Sequence, residues 1–86
     1  MSAVRDLRPE LGQIEAGLRQ AGFRDSANAL HSALSAAYTT SSEMLGEFGK
    51  ALRQAERRAG PDLPAELKQQ IDRCLREIRK TWPGLR

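Results

Sequence analysis

The 86-residue chain has little of what builds a β-sheet. It contains one valine, three threonines, two phenylalanines, one tyrosine and one tryptophan. Strands favour β-branched and aromatic residues, whereas the alanine, leucine, glutamate, glutamine and arginine that are abundant here favour helices. We therefore expect an all-α fold, in a single domain over residues 1–86.

Cysteine and long apolar runs are also scarce. Cys74 is the only cysteine, which excludes an internal disulfide framework and fits a reducing compartment. The first residues include Arg5 and Asp6 and contain no apolar run typical of a signal peptide. No segment approaches the roughly 20 apolar residues that cross a bilayer. We therefore expect a cytoplasmic protein with no membrane partner.

Apolar residues recur at spacings of three and four residues along most of the chain, which predicts helices. A first helix is expected over about 6–21, with Gly22 just beyond its end. A long central helix is expected over about 26–59. A third helix is expected over about 64–82, with Pro64 at its start.

The middle of the expected central helix is unusual, because Tyr38 is followed by four small hydroxyl residues that helices do not favour. The apolar seam nevertheless keeps its phase across this block, and no glycine, proline or asparagine interrupts residues 35–45. These observations favour one continuous helix. The alternative is a four-helix up-down bundle broken near Thr39, in which Thr40 and Glu43 form a capping box.

The unequal helix lengths predict a dimer. A central helix of 34 residues would be roughly 51 Å long, about twice the length of its neighbours. The two outer helices would fold back antiparallel on its two halves. Because such a thin layer leaves apolar edges exposed, we expect a second copy to cover them and form a homodimeric bundle.

A stripe of small residues would follow the face of the central helix opposite its apolar seam. Small residues allow another backbone to approach closely, so this stripe is a predicted interaction surface for a second copy or another protein. The other interpretation is an ordinary polar face. The stripe consists of Ser35, Thr39, Ser42, Gly46 and Gly49.

If the three helices meet near the middle of the long one, polar side chains would gather there. This polar junction could also hold a small ligand, which gives a second alternative function. Its predicted members are Tyr38, Thr40, Ser41, Glu43 and Trp82.

The formal net charge of +3 is concentrated in the second half. Residues 44–86 hold ten Lys or Arg and six Asp or Glu, whereas residues 1–43 hold four and five. Nucleic-acid binding through this half is the first alternative to protein binding. It is less favoured than protein binding, because interleaved acidic residues can pair with the basic ones and aromatic residues for base stacking are missing. The predicted basic surface is Arg53, Arg57, Arg58, Arg73, Arg76, Arg79 and Lys80.

No motif for catalysis, metal binding or nucleotide binding stands out. Glu43 and Glu47 are spaced like metal ligands, but the single histidine, His31, is three turns away and Cys74 has no second cysteine nearby. Serine nucleophiles here lack a nearby base, and there is no glycine-rich phosphate loop. We therefore expect a non-catalytic protein without metal or cofactor that acts by binding another protein, whose identity the sequence does not give.

Overall fold

The computed structural model describes residues 7–81, apart from the side chains of residues 41, 42 and 81. Within this range the chain forms only helices, which confirms the all-α prediction. The four α-helices are α1 (Arg8–Gln20), α2 (Arg24–Ser35), α3 (Ser41–Ala59) and α4 (Ala65–Thr81), and a short 3₁₀ helix, Gly60–Asp62, joins α3 to α4.

The four helices form an antiparallel bundle. Each helix packs against the next one in the chain, and α4 closes the ring against α1. Glu10 near the start of α1 contacts Cys74 late in α4, whereas Gly17 late in α1 lies against Leu67 near the start of α4. The two helices therefore run in opposite directions. The molecule measures 37 × 23 × 21 Å, which is shorter than the expected central helix.

The core lies along the axis of the bundle, and all four helices contribute to it. Its side chains follow the apolar spacing read from the sequence, because one face of each helix must leave water. The largest fully buried side chains are Phe48, Leu11, Ile14, Leu18, Leu30, Leu52, Ile71, Ile78 and Cys74.

The prediction of one continuous helix over 26–59 is wrong. Helix α2 ends at Ser35, Ala36 is extended with ψ of 150°, and α3 begins at Ser41. Breaking there lets α3 fold back on α2, so that four helices enclose one core instead of lying in a thin layer. The structure therefore has the broken, four-helix alternative.

The apolar spacing keeps its phase across this break, but that is weak evidence for a continuous helix. An apolar stripe is about 100° wide, so two unrelated helices agree in phase in roughly a quarter of cases. The absence of glycine and proline is also weak evidence for a continuous helix. Hydrogen bonds from side chains can end one helix and start the next without either residue.

The helix boundaries predicted at Gly22, Gly60 and Pro64 are confirmed. Gly22 has a φ of 94°, and the Phe23 N–H donates to the Leu18 carbonyl at 2.8 Å, as in a Schellman motif. Gly60 ends α3 with a φ of 53°. The Pro64 carbonyl accepts the first backbone hydrogen bond of α4 from Lys68 at 2.9 Å.

Candidate functional site

Side chains hold the break between α2 and α3. Thr40 is the N-cap of α3, and its Oγ1 accepts a hydrogen bond from the Glu43 N–H at 3.1 Å. The Glu43 carboxylate reaches back and accepts from the backbone N–H and the hydroxyl of Thr39, both at 3.2 Å. This is the capping box expected for the broken alternative, with the glutamate shifted by one residue onto Thr39.

Tyr38 ties the end of α2 to α3. Its hydroxyl donates to the Ala33 carbonyl at 2.7 Å, and its ring meets the Phe48 ring edge-on at a centroid distance of 6.2 Å. Burial, together with the charges of Glu47 and Glu43, raises the pKa of Tyr38 above its ordinary value. The hydroxyl therefore stays protonated and keeps its role as a donor.

The polar junction is only partly as expected. The structure brings Tyr38, Thr40 and Glu43 together, but the side chain of Ser41 and all of Trp82 lie outside the described residues. The polar groups of the junction bond to each other or to nearby backbone. In the described part of the chain, no buried side-chain nitrogen or oxygen lacks a partner, so none is left aimed at a ligand.

The predicted stripe of small residues does not form one surface. Ser35 ends α2, Thr39 lies in the break, and the other three members belong to α3. Gly49 is buried and Gly46 half-buried. Gly49 lies two helical turns before Glu56, on the side of α3 that faces α4. The structure therefore turns this part of the stripe toward the inside of the molecule.

A hollow of about 590 Å³ lies on the opposite side of α3, between α2 and α3. One wall carries small side chains, and Tyr38 lies at one end. The other wall, on α3, carries Glu43, Glu47, Lys50, Ala51 and Gln54. The sequence pattern does not indicate this surface, because apolar spacing assigns Ala33 and Ala37 to the buried seam of one helix and the two walls come from different segments. The small side chains of the first wall are Ala29, Ser32, Ala33, Ala36 and Ala37.

The predicted basic surface divides between two sides of the bundle. Arg58 turns toward α2, where its guanidinium lies 3.8 Å from the Asp25 carboxylate. The remaining residues are exposed, except Arg53, which is half-buried. They belong to α3 and α4: Arg53, Arg57, Arg73, Arg76, Arg79 and Lys80.

Two carboxyl groups meet where α3 packs against α4. Burial raises the pKa of Glu56 to about 7, and the hydrogen bond to Asp72 and its negative charge act in the same direction. Lys68 opposes this shift. The pair could not be found from sequence spacing, because its members lie on different helices.

The single histidine and cysteine have structural neighbours. His31 Nδ1 lies 3.3 Å from a Glu15 carboxylate oxygen, and Cys74 is buried with its thiol donating to Glu10 at 3.5 Å. Across residues 7–81 no three His, Cys, Asp or Glu side chains lie close enough to hold a metal ion. In the same range, no helix has both the length and the apolar character needed to cross a bilayer.

No family model, curated protein or solved structure matches this chain. The function must therefore be argued from the surfaces of the bundle.

Proposed function

We propose that the chain is a non-catalytic helical interaction module that forms a homodimer through the hollow between α2 and α3. The hollow supports this because the wall formed by α2 and the break after it consists of small side chains, four of them alanines. The distance between packed helices depends on the side chains at the contact, so alanines let a partner helix approach closely. We also propose a cytoplasmic location, because a single cysteine, Cys74, fits a reducing compartment.

Charge on the α3 wall is the observation that carries the homodimer. Glu47 and Lys50 are three residues apart, both are exposed, and both border the hollow. In a two-fold dimer the same patch meets itself, and an axis perpendicular to α3 makes the two α3 helices antiparallel. Glu47 of one copy would then lie opposite Lys50 of the other, and the reverse. The pairing of Glu47 with Lys50 thus makes the patch complementary to itself in charge.

The hollow replaces the unequal helix lengths and the stripe of small residues as the basis for a dimer. The unequal helix lengths disappear with the break at residues 36–40, and the stripe ending at Gly49 is partly buried. The hollow is a different surface, on the α2 side of α3. It leaves α4 outside the proposed dimer interface.

Sedimentation equilibrium at micromolar concentration tests the proposal. We expect a dimer for the wild-type chain and a monomer for Ala33→Arg, whose long charged side chain would fill the hollow. Ala16→Arg is the matched control, because Ala16 is exposed on α1 and far from this surface. Circular dichroism should show that both variants remain folded. A monomeric wild-type chain would overturn the homodimer.

A charge exchange tests the pairing directly. Glu47→Lys alone and Lys50→Glu alone each place like charges opposite one another, so each should weaken the dimer. The double variant restores opposite charges across the two-fold axis and should recover the dimer. If the double variant is as weak as the single ones, the dimer does not use this surface.

A further inference from the structure

The charges of the second half of the chain are sorted in space, although they alternate in sequence. Five basic residues gather where α3 and α4 lie side by side, and we call this surface the basic face. It consists of Arg53, Arg57, Lys68, Arg76 and Arg79. All are exposed except Arg53, which is half-buried.

Helical spacing and one contact place these residues together. On α4, Lys68, Asp72, Arg76 and Arg79 follow each other at spacings of four, four and three, so they share one side. That side faces α3, because both Lys68 and Asp72 act on the carboxyl of Glu56. On α3, Arg53 lies one turn before Glu56, and Arg57 lies one turn after Arg53 on the same side of the helix. The two basic rows therefore flank the carboxyl pair.

Three of the six acidic residues of this half lie elsewhere. Glu47 borders the hollow toward α2, and Glu66 borders a hollow that includes Gly17 and Gln20 of α1. Glu77 falls on the same side of α4 as Gln70, which also faces α1. Glu56 and Asp72 stand within the basic face, and Asp62 lies at its end, in the 3₁₀ helix between α3 and α4. Since the pKa of Glu56 is raised to about 7, this pair carries less than its full negative charge at neutral pH.

We infer that the basic face binds the phosphate backbone of a nucleic-acid duplex. Four of its five residues are arginines, whose planar guanidinium groups match phosphate oxygens with two parallel hydrogen bonds. The row from Lys68 to Arg79 is about 16 Å long, and a neighbouring helix lies about 8–10 Å away. Such a surface spans several phosphates of a duplex and gives no sequence preference by itself.

The residue types of the basic face argue against other polyanions. Single strands are held by bases stacked on aromatic side chains, and the described aromatic residues, Phe23, Tyr38 and Phe48, do not belong to this face. A membrane surface would need large apolar side chains to enter the lipid. Leu75, the apolar residue nearest in sequence to Arg76, is half-buried against the core.

Fluorescence anisotropy with a labelled random-sequence DNA duplex tests the inference on the full chain. If the face neutralises about four phosphates, affinity should fall roughly 100-fold between about 50 and 200 mM salt. A duplex of different sequence should bind equally well, and a single strand of equal length should bind more weakly. No binding at low salt would overturn the inference.

Matched charge reversals locate the contact. Arg76→Glu lies on the basic face and should weaken duplex binding at least tenfold. Arg24→Glu makes the same change in net charge at an exposed site on α2, and should have little effect. Equal losses in the two variants would mean that net charge alone is responsible. Tighter binding to single strands, or to phosphatidylserine vesicles at equal phosphate, would also overturn the inference.

Discussion

The two ends of α3 are built by different means. At its N-terminal end, the break at residues 36–40 contains no glycine or proline and is held by side chains, chiefly Tyr38, Thr40 and Glu43. At its C-terminal end, Gly60 takes a positive φ and two prolines follow within four residues. A helix end that depends on the backbone preferences of glycine and proline can be predicted from the sequence. A helix end that depends on side-chain contacts can be predicted only when the partners of those side chains are known.

Replacing Tyr38 should have the largest effect on the N-terminal end. Tyr38→Ala removes the ring that packs on Phe48 and the hydrogen bond to Ala33. We expect a loss of about 2–3 kcal/mol in the free energy of unfolding, because the side chain is large but only half-buried. Urea denaturation followed by circular dichroism measures it.

Tyr38→Phe separates the two contributions. This variant keeps the ring and loses only the hydrogen bond, so it should cost about 1 kcal/mol. If Tyr38→Ala cost no more than Tyr38→Phe, packing on Phe48 would not help to hold the break, and the contrast between the two ends would weaken.

Replacing Gly60 is the corresponding change at the C-terminal end. Its φ of 53° strains any L side chain, although no atom lies within 4 Å of the methyl that alanine would add. Gly60→Ala should therefore cost about 2 kcal/mol through backbone strain alone. The midpoint of thermal unfolding should fall by several degrees.

Gly12→Ala is the matched control for Gly60→Ala. Gly12 also has open space around its α-carbon, but it lies inside α1 without a positive φ. The added methyl should stabilise the helix by about 0.5–1 kcal/mol. The two glycine-to-alanine changes should thus alter the free energy of unfolding in opposite directions. If both changes altered it in the same direction, the backbone explanation for Gly60 would be contradicted.

Thr40→Ala tests the cap itself. It removes the oxygen that accepts the Glu43 N–H, so we expect a loss of about 1 kcal/mol. Thr40→Ser keeps an acceptor and should lose much less. Hydrogen exchange of the first amides of α3 would show whether the loss is local. If Thr40→Ala left the free energy of unfolding unchanged, water would satisfy the Glu43 N–H as well as the threonine hydroxyl does.

The contrast between the two ends also explains what the sequence could predict. Gly22, Gly60 and Pro64 act through their own backbone preferences, so the three helix boundaries that they mark could be predicted. The fourth boundary depends on whether Thr40 caps a helix or lies within one, and local propensity does not separate those states. Side-chain contacts between helices, such as Glu56 with Asp72, depend on packing that is absent from a linear pattern.

The surfaces were harder to predict than the core for the same reason. Apolar spacing identified the buried seam of each helix, because burial follows one period along one element. The hollow lined by Ala33 and Lys50 and the basic face around Arg76 each combine two helices. The stripe ending at Gly49 assumed one continuous helix, and it divided when that helix broke.

The smallest expected effect concerns pH at the C-terminal end of α3. Glu56 lies one turn before Gly60, and its pKa is raised to about 7 in the folded protein from an ordinary value of 4.5. The folded state thus holds its proton more tightly than the unfolded state does. Stability from this group is fully present below about pH 4.5 and is lost as pH rises toward about 7.

Glu56→Gln removes that titration and tests its sign. Because the carboxyl is only half-buried and water screens it, we expect the variant to gain about 0.5–1 kcal/mol over wild type at pH 8, and the difference to shrink on acidification. Unfolding free energies across pH 4–8 measure this. Glu66→Gln, exposed on the α1 side of α4, should show no such gain. A Glu56→Gln variant that is less stable at pH 8 would show that Lys68 outweighs Asp72 and burial, and that the charged glutamate strengthens this end of α3.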